Sequence, residues 1–362
     1  MTSTAVTSTA VTSTAVTAEA GPVTTWRMPS ETAPHECTWM AWPSQGYTLG
    51  DTPEEVTRAR LTWAAVANAV IGFEPVRMVV VPEDVEIARR HLHPDVELVP
   101  TQLDDAWMRD IGPTFVLGAD GRLGAVDWVF NGWGAQPWAS WEHDARVGAF
   151  VAGQTPAELI RSSLVNEGGG LHVDGLGTVL LTETVQLDPG RNPGLTRTDV
   201  EAELARTIGA THAIWLPRGL TRDYDELGTR GHVDIVATIP SPGVLLLHDQ
   251  EDPAHPDHGV SKELRELLSD ARDARGERFE VVGVPAPRTL ADGSGPVDWS
   301  YLNHLVVNDG VIACTFADDQ DERALGILAD AYPGRRVVGV DARPLFDRGG
   351  GVHCITQQQP AV

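Results

Sequence analysis

The sequence predicts an α/β fold made of repeated modules that close into a ring or propeller. Its 362 residues are 42% apolar, enough for one large core or two ordinary ones. Helical patterns alternate along the chain with a second recurrent unit, in which a polar cluster precedes an apolar strand, a turn and a β-branched strand. Repeated units of this kind bury their apolar faces around a common axis. We therefore expect a single catalytic domain over residues 26–362.

Five segments have the apolar spacing of amphipathic helices. They are residues 54–73, 83–92, 199–208, 262–274 and 321–332. Thr198 and Glu201 are spaced as a capping box at the start of the third segment.

Four copies of the strand-turn-strand unit lie between these helices. They span residues 110–128, 167–181, 232–248 and 301–316, with turns at 119–121, 174–175, 240–243 and 308–310. Their polar leaders, Asp110, Glu167, His232 and Tyr301, are 57, 65 and 69 residues apart. A fifth unit can be assembled from the two chain ends, residues 38–42 and 353–357. Because every copy begins with its polar cluster, we expect these clusters to converge near the axis and form the site.

The N-terminal segment differs from the rest of the chain. Residues 2–16 are three copies of Thr-Ser-Thr-Ala-Val, which has no large apolar side chain to offset the entropy of ordering. We expect residues 1–25 to be a disordered tail. No Lys or Arg precedes Arg27, and the apolar stretch of residues 63–73 is too short to span a bilayer. These patterns predict a cytoplasmic protein without a membrane partner.

Charge and cysteine content restrict the partners and the class of protein. There are 51 acidic and 27 basic residues, a formal charge of −24, which disfavours nucleic acid and favours a small cationic substrate. Three distant cysteines, Cys37, Cys314 and Cys354, do not form a disulfide scaffold. Cys37 and Cys314 adjoin strand-like segments, and we expect both to be buried and inert.

Cys354 is the candidate nucleophile. Three glycines at 349–351 precede it and permit close backbone approach to a ligand. His232 and Asp234 are two residues apart, which on a strand places both side chains on one face. A thiol nucleophile needs a proton-transfer partner such as histidine. The same patterns also fit a buried thiol without a function and a histidine satisfied by its neighbours.

The three carboxylates Asp110, Glu167 and Asp234 indicate the substrate class, because carboxylate oxygens pair with the N–H groups of a planar guanidinium. The sequence thus predicts a small cationic guanidino substrate. Trp107, three residues before Asp110, is the side chain expected against its aliphatic chain. The glycine run at 168–170 lacks the features of a phosphate loop, so no nucleotide cofactor is expected.

A metal centre is an alternative interpretation of one charged segment. That segment contains His248, Asp249, Glu251, Asp252, His255, Asp257 and His258. It lacks the ligand spacing of familiar zinc sites and favours a solvated loop, so we expect no metal. The chain also lacks the Gly-x-Ser-x-Gly sequence of serine hydrolases.

Several motifs resemble those of the agmatine deiminases and the related bacterial-type peptidylarginine deiminases, members of the guanidino-group-modifying superfamily. The resemblance covers about residues 28–360. Its motifs are residues 28–31 (Met-Pro-Ser-Glu), 39–43 (Trp-Met-Ala-Trp-Pro), 107–113 (Trp-Met-Arg-Asp-Ile-Gly-Pro), 125–131 (Ala-Val-Asp-Trp-Val-Phe-Asn), 166–170 (Asn-Glu-Gly-Gly-Gly), 231–234 (Gly-His-Val-Asp) and 353–360 (His-Cys-Ile-Thr-Gln-Gln-Gln-Pro). It implies a five-module, pseudo-symmetric α/β propeller, the pentein fold, and a homodimer.

The resemblance implies hydrolysis of a guanidine to a urea without metal or cofactor, with agmatine converted to N-carbamoylputrescine and ammonia. Cys354 would attack the guanidinium carbon and form a covalent thiouronium intermediate. His232 would protonate the departing ammonia and then activate water. Since a thiolate and an imidazolium stabilise each other, activity is expected to fall at both pH extremes.

The resemblance also assigns roles to the remaining site residues. Asp110 and Asp234 would hold the guanidinium nitrogens. Glu167 would orient the histidine and touch the substrate. Gly350 and Gly351 would let the nucleophile loop approach the substrate closely.

Some positions depart from the family pattern. Ile235 and Gly351 stand where asparagine is usual, residues 297–303 are altered before the fourth hairpin, and the loop 225–230 ends in Arg230. Arg230 is suited either to repel the ammonium of agmatine or to bind a carboxylate. The sequence therefore leaves open whether the substrate is agmatine, arginine, a peptidyl arginine or another guanidine. It also leaves open a protein that binds a guanidine without catalysis.

Overall fold

A computed structural model of the protein describes Met1 and residues 26–362, so the predicted tail lies outside the described residues except for Met1. The strands are β1 (Trp26–Arg27), β2 (His35–Ala41), β3 (Val76–Val80), β4 (Glu97–Pro100), β5 (Thr114–Gly118), β6 (Leu123–Val129), β7 (Glu158–Val165), β8 (His172–Val173), β9 (Thr178–Thr182), β10 (His212–Leu216), β11 (Ala237–Ser241), β12 (Val244–Asp249), β13 (Glu280–Pro285), β14 (Ala291–Asp292), β15 (Gly295–Pro296), β16 (Leu305–Val307), β17 (Gly310–Thr315), β18 (Arg336–Asp341) and β19 (Thr356–Pro360). The helices are α1 (Gly46–Leu49), α2 (Pro53–Val70), α3 (Val85–Ala88), α4 (Met108–Ile111), α5 (Gly132–Ala135), α6 (Val147–Gly153), α7 (Glu183–Gln186), α8 (Arg197–Ile208), α9 (Asp257–Asp270), α10 (Asp321–Ala331) and α11 (Arg343–Phe346).

Four of the five predicted helices are confirmed as α2, α8, α9 and α10, with shifted ends. The prediction for residues 83–92 is wrong in length. A 3₁₀ turn at Pro82–Asp84 leads into the four-residue helix α3, and 3₁₀-type bonds follow, such as Arg90 N to Ile87 O. Pro94 comes soon after and disfavours helical backbone at the residue before it.

The predicted capping box of α8 is also wrong by two residues. Thr196, not Thr198, is the N-cap residue, and its hydroxyl accepts from the backbone N–H of Asp199 at 3.3 Å. The Asp199 carboxylate in turn accepts from the backbone N–H of Thr196 at 2.9 Å. The shorter aspartate thus closes the box in place of Glu201.

Within residues 26–362, five sheets share one plan. Each has an antiparallel pair followed by a parallel strand: β5-β6-β7, β8-β9-β10, β11-β12-β13, β16-β17-β18 and β19-β2-β3. The short strand β1 extends the first of these sheets, and β4 extends the last. All four predicted hairpins are confirmed, and the fifth pair joins the chain ends, with Thr356 opposite Met40.

Each parallel connection contains a helix: α6 lies between β6 and β7, α8 between β9 and β10, α9 between β12 and β13, α10 between β17 and β18, and α2 between β2 and β3. Parallel neighbours require such a crossover, so the helix-strand alternation of the sequence follows from the sheet topology. The helices pack their apolar faces on the sheets, for example through Trp63 of α2 and Leu264 of α9. In the described part of the chain, no helix is both long and apolar enough to cross a bilayer.

The polar leaders lie at equivalent points of the five modules. Each is in the segment just before the first strand of its antiparallel pair, where a short turn replaces regular strand structure. These segments contact one another: α4 packs on the 3₁₀ turn Gly168–Gly170, and that turn packs on the 3₁₀ turn Val233–Ile235. The predicted convergence is therefore confirmed for the three modules led by Asp110, Glu167 and His232.

Candidate active site

A thiol, an imidazole and three carboxylates meet where the leaders converge. The Cys354 Sγ atom lies 3.5 Å from Asp234 Oδ2, and His232 Nδ1 lies 3.9 Å from Asp110 Oδ1. His232 Nε2 lies 3.1 Å from Glu167 Oε2. All five side chains are buried, at 5% exposure or less. The candidate catalytic residues Cys354, His232, Asp110, Asp234 and Glu167 thus form a single cluster.

His232 carries a positive charge in this cluster. Burial alone would lower the pKa of its imidazole, but the carboxylates of Asp110, Glu167 and Asp234 outweigh burial and raise that pKa to about 9. Its Nδ1 atom has no hydrogen-bond partner among the described residues. His232 and Asp234 do not share a strand face as expected, because residues Val233–Ile235 form a 3₁₀ turn before β11. The turn brings both side chains into the cluster.

Glu167 is held ionised by a buried arginine that the sequence did not single out. The Arg191 Nε atom donates to Glu167 Oε1 and Oε2 at 2.9 and 3.0 Å. Burial favours the neutral acid, yet the charges of Arg191 and His232 lower the pKa of Glu167 to about 2. Arg191 also donates to Asp188 at 2.9 Å and to the carbonyl of Thr229 at 2.7 Å. These bonds fix the carboxylate that orients the imidazole.

Asp110 is surrounded mainly by neutral donors. It accepts from the backbone N–H of Gly169 at 3.1 Å and from Trp133 Nε1 at 2.8 Å. Burial, reinforced by the nearby negative charges, raises the pKa of Asp110 to about 6 although His232 opposes the shift.

The Trp133 donor is presented by an unusual backbone turn. In α5 the φ angles of Gly132, Trp133, Gly134 and Ala135 are 70°, 55°, 87° and 56°, all in the left-handed region. Such a conformation is costly for a bulky residue, and strain of this kind concentrates at functional sites. The turn directs the indole N–H at Asp110.

The thiol is protonated in the free site. Burial, followed by the charges of Asp234 and Asp110, raises the pKa of Cys354 well above its ordinary value. Asn303 Nδ2 lies 3.2 Å from the sulfur and favours the thiolate only partly. The sulfur contacts the Asn303 amide and the Asp234 carboxylate, and the carboxylate disfavours the thiolate. A bound guanidinium would offset the two carboxylate charges.

The glycines before Cys354 leave no room for a side chain. A Cβ atom on Gly350 would lie 2.7 Å from the Trp107 ring and 3.0 Å from the sulfur, and one on Gly351 would lie 2.5 Å from Asn303 Oδ1. Trp107 is buried and packs edge-on against Trp63, with ring centroids 5.7 Å apart. The structure therefore places Trp107 and both glycines directly around the Cys354 side chain.

The fourth module contributes Asn303 in place of its predicted leader, Tyr301. The Tyr301 hydroxyl donates to Asp321 at 2.7 Å, on the side of helix α10, and its ring packs on Phe316. Asn303 Oδ1 accepts from the backbone N–H of Cys354 at 3.3 Å. The convergence prediction is therefore wrong for Tyr301, since the site side chain lies two residues further along. An asparagine two residues before an apolar strand was the available signal.

The alternative metal segment is not arranged as a ligand set. Among the described residues, no group of three or more His, Cys, Asp or Glu side chains is placed to hold a metal ion. His255 Nδ1 accepts from the backbone N–H of Asp257 at 3.2 Å, and His258 Nδ1 bonds the Gln250 carbonyl at 2.8 Å. The end of the segment is helical, because α9 begins at Asp257.

Cys37 and Cys314 have the expected inert surroundings. Burial raises the pKa of each thiol to about 12. All three cysteines are free, which confirms that the chain is not a disulfide scaffold.

Comparison with known proteins identifies the family. The sequence model of the Porphyromonas-type peptidyl-arginine deiminases matches residues 27–360. The chain belongs to this family. Two relatives match this chain over most of its length and most of their own. The "Putative agmatine deiminase" of Streptomyces coelicolor is 58% identical over 93% of this chain and 99% of its own, and the agmatine deiminase of Pseudomonas fluorescens SBW25 is 38% identical over 92% and 95%.

A solved structure has the same α/β fold. The agmatine deiminase of Enterococcus faecalis, described as catalysing its reaction, superposes with a TM-score of 0.86. It is 32% identical and the match covers 92% of this chain and 96% of that one. The cluster around Cys354 is thus carried by a fold shared with a deiminase.

Proposed function

We propose that this protein hydrolyses agmatine to N-carbamoylputrescine and ammonia, with Cys354 as the nucleophile. The observation that carries the proposal is the buried cluster in which the sulfur faces Asp234 at 3.5 Å and an imidazolium adjoins Asp110. It fits the cationic, planar head group of a guanidine. Relatives at 38% identity and above bear the name of this activity over nearly the whole chain.

Binding of the substrate prepares the nucleophile. Asp110 and Asp234 pair with the guanidinium nitrogens; the Oδ1 atom of Asp234 has no hydrogen-bond partner among the described residues and is therefore available. The incoming positive charge offsets the two carboxylates that hold the pKa of the thiol high. Cys354 then loses its proton to solvent and becomes a thiolate.

The reaction proceeds in two halves. The Cys354 thiolate attacks the guanidinium carbon, and the imidazolium of His232 gives its proton to an amino nitrogen, which leaves as ammonia. A covalent thiouronium remains. The neutral His232 next takes a proton from the water that attacks the same carbon. The C–S bond breaks, and the hydroxyl proton of the tetrahedral adduct passes to the leaving sulfur, which restores the thiol and releases the neutral urea. Glu167 keeps the imidazole in place throughout.

Trp107 supplies the apolar wall for the methylene chain of agmatine, because its ring lies beside the nucleophile loop at Gly350. Arg230, which sequence alone leaves as a possible barrier to a cationic tail, lies 3.1 Å from Asp188. That carboxylate offsets the charge of Arg230, which supports agmatine over a substrate that carries a carboxylate.

We also propose that the five modules close into a pentein propeller around the site. The support is that each module supplies at least one side chain from the segment before its antiparallel pair: Asp110, Glu167, His232 with Asp234, Asn303 and Cys354. A homodimer in the cytoplasm is proposed on the family resemblance. Sedimentation of the full chain tests the dimer, with the mass of a single chain as the contrary result.

The function is tested by ammonia release and product mass from agmatine, arginine and a peptidyl arginine, each supplied with a chelator. Agmatine is expected to gain about one mass unit as NH is replaced by O, and Cys354→Ser is expected to abolish turnover. Cys37→Ser is the matched control, because that thiol is buried away from the cluster. Full activity in Cys354→Ser contradicts the mechanism. Binding of agmatine without turnover in the wild type would support a guanidine-binding protein instead.

A further inference from the structure

We infer that His353 and Glu31 are positioning residues that hold Asp234 as an ionised, correctly oriented ligand for the guanidinium. This inference rests on the proposed hydrolysis of a guanidine. Neither side chain touches the reacting atoms; both act through Asp234.

The imidazole of His353 lies between two carboxylates. Its Nδ1 atom is 2.9 Å from Asp234 Oδ2, and its Nε2 atom is 2.8 Å from Glu31 Oε1. A neutral imidazole has one N–H and would face one of these carboxylates with a lone pair, so the two short contacts require the imidazolium. His353 is 3% exposed, and its backbone N–H donates to Asn303 Oδ1 at 3.0 Å. The two carboxylates therefore fix the imidazole ring, and the bond to Asn303 fixes the backbone that carries it.

The contact on Asp234 is one-sided. Only its Oδ2 atom contacts His353. The Oδ1 atom has no hydrogen-bond partner among the described residues, although Asp234 is buried at 3% exposure. An unpaired, buried carboxylate oxygen is costly unless a ligand satisfies it. The imidazolium thus fixes the rotation of the carboxylate and leaves one oxygen for a substrate N–H.

Glu31 is itself held in place behind His353. Its Oε1 atom lies 3.8 Å from Arg109 Nη1 and 3.9 Å from His172 Nδ1. Arg109 is anchored in turn by the carbonyl of His353 at 3.3 Å and by Gln357 at 3.2 Å. The charged groups that influence His353 are therefore Asp234 and Glu31, which favour its proton, and Arg109, which opposes it.

Two further buried histidines are close enough to interact with this group, His172 and His304. The pKa of each is lowered, first by burial, so both are neutral partners at neutral pH. Burial and Arg109 also oppose protonation of His353, but Glu31 and Asp234 outweigh them and raise its pKa. Arg109 and His353 together balance Glu31 and Asp234.

This arrangement gives different pKa values to the two carboxylates that bind the guanidinium. The pKa of Asp234 is lowered despite its burial, because His353 supplies a countercharge, whereas that of Asp110 is raised to about 6. Without His353, Asp234 would be a buried carboxylate beside a second one and would take up a proton at higher pH. The pair Glu31-His353 therefore keeps Asp234 ionised at the pH where Asp110 takes up its proton, so that Asp110 alone sets the acid limit of substrate binding.

The test is the variant His353→Gln, assayed with agmatine across the pH range and compared with the wild type. We expect KM to rise about 10–100-fold, more than kcat falls, because a charge-assisted bond to the substrate ligand is lost. The acid limb of kcat/KM should move to higher pH, since we expect the pKa of Asp234, without its countercharge, to rise past that of Asp110, which sets the limb in the wild type. The matched control is His248→Gln, which changes another buried histidine away from this group.

A second variant covers the case in which His353→Gln does not fold. Glu31→Gln keeps an acceptor for the imidazole but removes the charge, so we expect the same shift of the acid limb, only smaller. In either folded variant, a fall in kcat as large as the rise in KM, together with an unmoved acid limb of kcat/KM, would overturn the inference. If the wild type turns over no guanidine and Cys354→Ser binds no agmatine by calorimetry, the proposed function itself fails. Agmatine turnover with a normal KM and acid limb in His353→Gln refutes only the role of His353.

Discussion

Gly350→Ala is the most direct perturbation of the nucleophile, because it adds a single methyl group. The φ angle of Gly350 is not in the left-handed region, so alanine is compatible with the backbone there. The new Cβ atom would lie 2.7 Å from the Trp107 ring and 3.0 Å from Cys354 Sγ. Non-bonded carbon atoms rest about 3.5–4.0 Å apart, so the overlap with the ring is about 1 Å.

This overlap displaces the Cys354 thiol. Trp107 is buried and held by the edge contact with Trp63, so its ring cannot give way without disturbing the core. The backbone at Gly350 moves away from the ring instead, and the new Cβ atom, 3.0 Å from Cys354 Sγ, pushes the sulfur out of position. A displacement on the order of 1 Å at a reacting atom costs about 10²-fold in rate, so we expect kcat for agmatine to fall about 100-fold.

The assay is steady-state ammonia release, with the rate of Cys354 alkylation as a second readout of thiol position. Gly326→Ala is the control: this glycine lies in helix α10 with open space around its Cβ position, and alanine there should raise the free energy of unfolding by about 0.5–1 kcal/mol without changing turnover. A folded Gly350→Ala protein with kcat within about threefold of the wild type would show that the close packing at Gly350 does not position the nucleophile.

Four further outcomes are expected. In the wild type, kcat/KM measured by ammonia release should fall as pH drops through about 6, where Asp110 gains a proton and no longer attracts the guanidinium. It should also fall above about 9, where His232 loses the proton it must donate. Trp133→Phe removes a donor to the Asp110 carboxylate, so KM should rise about 10-fold and the acid limb should move to higher pH. Arg191→Met removes one of the two cations that face the buried Glu167 carboxylate and should lower the free energy of unfolding, measured with urea, by about 3–5 kcal/mol.

The fold was predictable where its signals are local. Turns such as Asn308-Asp309 lie between short apolar strands, and a two-residue turn fixes an antiparallel hairpin without reference to the rest of the chain. The pairing of β19 with β2 joins residues more than three hundred positions apart, yet it was predicted because both segments repeat the pattern of the other modules. The two-residue strands β1 and β14 carry no periodicity and were missed.

The site was predictable for groups whose chemistry is intrinsic and not for groups whose role depends on their neighbours. A thiol after three glycines or a histidine beside an aspartate stands out in any sequence. Arg191 and Trp133 do not, because an arginine or a tryptophan becomes a site residue only when the tertiary fold places a carboxylate against it. The same reason explains why Tyr301 was preferred to Asn303: the register at the end of a module decides which polar residue faces the axis.

The three carboxylates show how one functional group acquires three properties. Glu167 faces a guanidinium and an imidazolium and has a pKa of about 2; Asp110 receives mainly neutral donors and has a pKa of about 6. Asp234 is ionised because an imidazolium lies behind it. Burial is nearly the same for all three, so the countercharge decides the difference. A carboxylate at the head of a module therefore indicates a site, but the groups packed against it determine its pKa. Arg191 keeps Glu167 ionised beside the imidazole, His353 keeps Asp234 ionised at the pH where Asp110 titrates, and the neutral donors of Asp110 let it take up a proton near pH 6.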